Sequence, residues 1–128
     1  MNSSYFKMII DAGCGSEKGL SLPSDVSEWL FFRHFWGQVN IRFGVSFSQY
    51  EEVMPERLVG EVVDAARNLI MEALSALPTS VRFCCGWDGD KNELFCEIAR
   101  DAIVKALLEL AAFLDEAKLL KAGVYCQL

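Results

Sequence analysis

The stretch Cys84-Cys85-Gly86-Trp87-Asp88-Gly89-Asp90-Lys91-Asn92-Glu93-Leu94 gathers thiols, carboxylates and an amide into eleven positions. Three kinds of chemistry could be built from such residues. Oxygen ligands at alternate positions are how a calcium loop begins, paired acids can exchange a proton, and thiolates bind metals or cycle redox equivalents. Asp88, Asp90 and Asn92 occupy positions one, three and five of an EF-hand loop. The glycine that must stand at position six is Glu93, and the bidentate glutamate required at position twelve is Ala99. Lacking both the turn and the closing ligand, the stretch fails as a calcium site, and no metal is expected.

The vicinal thiols Cys84 and Cys85 point to opposite faces of a strand, which prevents them from sharing a metal. The only cationic neighbour in sequence is Arg82, so nothing local depresses a thiol pKa. The five cysteines show no CxxC spacing and suit neither a zinc knuckle nor a disulfide framework. They are expected to be reduced, small apolar side chains. Asp90 as N-cap and Glu93 three residues later make an acidic capping box ahead of a helix.

A second candidate is Asp11-Ala-Gly13-Cys14-Gly15-Ser-Glu17-Lys18. Glycines after a strand can cradle phosphate, but the dinucleotide pattern wants a third glycine where Lys18 stands. Cys14, between two glycines and near Lys18, is the best candidate for a reactive thiol, with His34 as its only possible histidine base. With a single histidine, triads and histidine-based metal sites have no material.

These residues need elements to hold them. Residues 5–11 alternate as a strand, and 12–24 are loop-like in glycine and serine. Residues 25–36 form a short helix with Asp25 as N-cap and Gly37 past its end; its aromatics fill one arc that leaves Arg33 and His34 outside. Residues 39–48 alternate most strictly. Val39, Ile41, Phe43, Val45 and Phe47 take one face of a predicted strand, Asn40, Arg42, Gly44, Ser46 and Ser48 the other, with Gly44 marking a bulge. Residues 55–78 form a helix between two prolines, with Leu58, Val62, Ala66, Leu69, Ala73 and Leu77 as its apolar stripe. Residues 80–87 alternate again, placing Val81, Phe83, Cys85 and Trp87 on one face. A long helix covers 92–123, and 124–128 close as a strand. The expected fold is α+β: a two-layer sandwich of about four strands in a mixed sheet, three helices on one face, in the order β-α-β-α-β-α-β, all in one domain over residues 1–128.

Composition bounds the function. Of the residues 52% are apolar, enough for a core, and eight of the fifteen aromatics lie between Trp29 and Tyr50. A net charge of −6 argues against direct binding of nucleic acid or an anionic membrane. No apolar run is long enough to cross a bilayer, and the first residues lack a signal-peptide pattern, so a cytoplasmic protein is expected. If the first three strands are parallel, the segments after them meet at one sheet edge and bring together Asp11, Glu17, Glu51, Glu52, Glu56, Asp88 and Asp90. Of this edge, Glu51, Glu52, Glu56, Asp88 and Asp90, with Trp87, are the candidate partner-binding residues. Together these point to a small acidic protein without catalytic function or cofactor that binds a basic protein partner, in the manner of an immunity or antitoxin-type inhibitor. The alternative is a small enzyme using the Cys14 thiol or the Asp88/Asp90 carboxylates with His34. The apolar helix at 92–123 also offers a face to a second copy, as a homo-dimer.

Overall fold

The computed structural model describes residues 3–9, 18–47 and 51–128. Its elements run β1 (Ser4–Ile9), β2 (Gly19–Leu22), α1 (Ser24–Phe32), α2 (Phe35–Phe43), β3 (Glu51–Met54), α3 (Glu56–Ala76), β4 (Ser80–Trp87), β5 (Glu93–Ala99), α4 (Arg100–Leu119) and β6 (Gly123–Gln127). The α+β class stands, but the expected order and the mixed sheet do not. Among the described residues there are four helices and two antiparallel sheets, one of four strands in the order β2-β1-β6-β3 and one of two, β4-β5.

The larger sheet follows from alternation. On β1 the side chains of Ser4, Phe6 and Met8 are buried while Tyr5 and Lys7 are half-exposed. Phe6 pairs with Cys126 and Met8 with Val124 on β6, and Met54 of β3 pairs with Val124 from the other side. One face of the sheet is therefore apolar and covered, as an antiparallel sheet with helices on one side requires. Phe6 meets Trp36 of α2 at 6.1 Å between ring centroids, and Trp36 packs edge-on against Phe35 and Phe47. The Ser27 hydroxyl on α1 accepts the Ser4 N–H at 2.9 Å, tying helix layer to sheet. The pKa of the buried Cys126 thiol is pushed up to about 12, first by burial, and the side chain behaves as the small apolar residue expected of it.

The helix at 25–36 and the strand at 39–48 are both corrected. Pro23, not Asp25, is the N-cap of α1, and Asp25 lies in the first turn. The chain breaks at His34, which takes a left-handed φ of 58°, and resumes as α2, so that Gly37 is inside a helix. Residues 35–43 satisfy two periods at once. Phe35, Trp36 and Val39 are buried and Phe43 half-buried, a helical spacing, whereas Ile41, central to the alternating set, is 87% exposed. Gly44 is the left-handed C-cap (φ 66°) rather than a bulge, its N–H donating to the Asn40 carbonyl at 2.9 Å. The Asn40 side chain then brackets Phe47, donating to its carbonyl and accepting its N–H.

Helix α3 matches its expectation: Leu58, Val62, Ala66, Leu69 and Ala73 are buried. It packs antiparallel to α4. Arg100, at the start of α4, donates to the carbonyls of Thr79 and Leu77 beyond the end of α3, and Arg67 pairs with Asp115 at 2.9 Å. The helix expected over 92–123 begins only at Arg100, because residues 93–99 complete a ladder with β4. No helix among the described residues is long and apolar enough to cross a membrane.

Candidate functional site

The β4–β5 hairpin comes directly after α3 and leads directly into α4, outside the main sheet. Its register runs Val81–Ile98, Arg82–Glu97, Phe83–Cys96 and Cys84–Phe95, then slips to Gly86–Leu94 and Trp87–Glu93. Phe83 and Ile98 are buried, which fixes the inner face, and Phe83 packs on Phe32 of α1 at 5.4 Å. The slip is a β-bulge at Cys85, and Gly86 takes a φ of 155° that an L side chain rarely adopts.

The bulge changes which way Trp87 points. Strict alternation places Trp87 with Phe83 on the inner face. One extra residue moves it to the opposite face, in register with Glu93 and beside Phe95. Trp87 is 65% exposed, with Phe95 at 49% and Leu94 at 46%. The Arg82 guanidinium lies 4.3 Å over the Phe95 ring and so orders the outer surface.

Two devices hold this hairpin. Cys85 and Cys96 form a disulfide between Cα atoms 5.9 Å apart, so the expectation that all the cysteines are reduced thiols is overturned for these two. Their juxtaposition follows from the strand at 93–99, which sequence alone reads as helix. Cys84 is a free, half-buried thiol. At the tip, the Asp88 carboxylate accepts the N–H groups of Asp90 (2.8 Å) and Asn92 (3.0 Å), and the Asp88 N–H donates to the Asn92 carbonyl. The backbone N–H of Asn92, then that of Asp90 and the Asn92 side chain, hold the Asp88 carboxyl below its ordinary pKa. Asp88 is thus a turn-forming acid, and the capping box expected at Asp90 and Glu93 does not exist: Asp90 is in the turn and Glu93 opens a strand.

No family model, curated protein or solved structure matches this chain.

Of the acidic-edge residues, Asp11 and Glu17 lie outside the described residues; of the six candidate partner-binding residues, Trp87, Asp88 and Asp90 come together at the hairpin tip. Glu51 and Glu52 lie on β3 and Glu56 in the first turn of α3, in or beside the other sheet. With no parallel strands among the described residues, the shared edge that would have united them is replaced by two attachments at opposite ends of α3, a 21-residue helix about 30 Å long. Glu52 is half-buried in register with Cys126, while Glu56 is exposed. Sequence reasoning missed Glu93, Leu94, Phe95 and Glu97 by assigning them to a helix. The signals that could have found them were the Asp-Gly-Asp-Lys-Asn turn and the alternation of Leu94, Cys96 and Ile98 after it. Cys14 lies outside the described residues. His34 is exposed at the α1–α2 junction, and no hydrogen bond or ion pair joins it to Asp88 or Asp90 among the described residues.

Proposed function

We propose that the chain is a protein-binding module that docks a basic partner surface through the outer face and tip of the β4–β5 hairpin. The observation that carries this is the outward Trp87. A bulge turns it from core to solvent, beside Phe95, with Asp88, Asp90 and Glu93 at the same end of the hairpin. A tryptophan in an acidic surround is the composition of an interface anchor: large apolar area at the centre, charge at the rim to steer and orient. The disulfide, the bulge and the Asp88 turn limit the hairpin's freedom before binding, which lowers the ordering cost of association. The formal charge of −6 favours a basic partner, and an inhibitor of the immunity or antitoxin kind fits a small acidic domain of this sort. A cytoplasmic setting is reconciled with the disulfide only if the hairpin resists reduction there or cycles, since reducing compartments keep most thiols unpaired.

The test is comparative capture on immobilised protein followed by kinetics with the captured partner. Trp87→Ala is expected to weaken binding by about 30-fold, the scale of an interface hot spot, and the association rate should fall as salt rises. Unchanged capture by Trp87→Ala, or an association rate indifferent to ionic strength, would overturn the assignment.

A further inference from the structure

A groove of about 260 Å³ lies between α2 and α3, away from the strands of the hairpin. It exists because residues 35–43 are helical. Phe35, Val39 and Phe43 on α2 follow helical spacing and face Leu69 on α3 across an apolar floor. On the strand that the alternation suggests, Arg42 would point away from Val39 and Phe43; on the helix it joins them at the rim.

The rim carries the charge. Arg33 and Arg42 both line the groove, in a chain whose overall charge is −6. Arg33 is paired with Glu72, which lines the opposite wall. Arg42 has no carboxylate partner among the described residues; its guanidinium lies 5.2 Å over the Phe43 ring, which holds it at the mouth of the groove. Gln38 and Asn68, one from each helix, also line the rim, and neither side chain makes a hydrogen bond among the described residues. Two guanidiniums and one carboxylate leave a single net positive charge over an apolar floor. The two amides add neutral donors and acceptors.

We infer that this groove is a binding site for a small organic monoanion, a carboxylate on an aromatic or branched apolar body. The carboxylate pairs with Arg42, whose planar fork matches it. The apolar body lies on Phe35, Val39, Phe43 and Leu69. The volume, just below the roughly 300 Å³ of the smallest drug-like pockets, suits a ligand of one or two rings. A dianion is disfavoured because Glu72 already neutralises Arg33.

The test uses 2-naphthoate and its neutral counterpart 2-naphthalenemethanol, titrated against the whole chain by calorimetry and by methyl chemical shifts. Naphthoate is expected to bind at least about tenfold more tightly than the alcohol, with shifts concentrated at Val39, Ala65 and Leu69. Arg42→Gln should remove that preference and leave the weak binding of the alcohol in place. Glu72→Gln should strengthen naphthoate binding, since it releases Arg33. Trp87→Ala should leave both ligands unaffected, which separates this site from the hairpin. Equal affinity for the two ligands, shifts centred elsewhere, insensitivity to Arg42→Gln, or no binding of naphthoate at millimolar concentration would each overturn the assignment.

Discussion

The two sheets among the described residues are held by different physics. In the four-stranded sheet, Phe6, Met8, Met54, Val124 and Cys126 are at most 3% exposed, and their stability comes from the helices packed over them. The β4–β5 ribbon buries chiefly Phe83 and Ile98 and leaves Trp87, Leu94 and Phe95 in solvent. A lone two-stranded ribbon is marginally stable in water. This one is held by local devices instead: a disulfide across the ladder, a bulge with glycine at its required conformation, and a carboxylate that gathers the turn. A region ordered by local restraint rather than by burial keeps its apolar side chains available. That is the arrangement a docking element needs, and it is why the ribbon, rather than the sheet, carries the proposed function.

The contrast can be broken at its strong end first. Trp36→Ala removes a side chain only 1% exposed from between Phe6, Phe35 and Phe47, and should cost about 3–5 kcal/mol in chemical denaturation, if the variant folds at all. A loss below about 1 kcal/mol would mean that the helix layer does not close over the sheet. Next comes the staple. Peptide mapping without reduction should recover Cys85 linked to Cys96, and Cys96→Ser should lower stability by about 2–3 kcal/mol, with amide exchange rising most in residues 80–99. Finding both thiols free would mean that the ribbon is ordered without a covalent staple. Gly86→Ala should cost about 1–2 kcal/mol, since its φ of 155° strains any side chain, and should shift the tip resonances while leaving β1 and β6 unmoved.

The smallest effects belong to the turn. Because the Asp88 pKa is lowered in the folded state, its contribution is present above the ordinary value of 3.8 and fades as pH falls through the lower folded value. The amides of Asp90 and Asn92 should therefore lose protection in acid before the core strands do, and Asp88→Asn should lower their protection at neutral pH. Equal protection in the variant would detach the carboxylate from the turn.

Much of the fold is legible where one period has no rival. Residues 4–9 and 80–84 alternate cleanly, and 56–76 repeat helically between Pro55 and Pro78. Reading fails where two periods coexist. Val39, Ile41 and Phe43 alternate, yet Phe35, Trp36, Val39 and Phe43 also make a helical face, and only packing against Phe6 and α3 selects the second. At 93–99 a short strand leads straight into an apolar helix, and the helical pattern of residues 100–119 masks it. That misreading hides three things together: the disulfide, whose partners meet only in a ladder; the role of Asp88; and the outward face of Trp87. The bulge itself has no period to announce it beyond Gly86.

Everything proposed for the ribbon depends on the orientation of Trp87, and acrylamide quenching reaches it directly. Trp29 and Trp36 are each 1% exposed and Trp87 is 65% exposed. A neutral quencher avoids repulsion by the neighbouring acids. The expected result is one readily quenched, red-shifted component of the emission that disappears in Trp87→Phe, leaving two shielded indoles. An accessible component that persists in Trp87→Phe, or emission from Trp87 as shielded as the rest, would contradict the outward orientation.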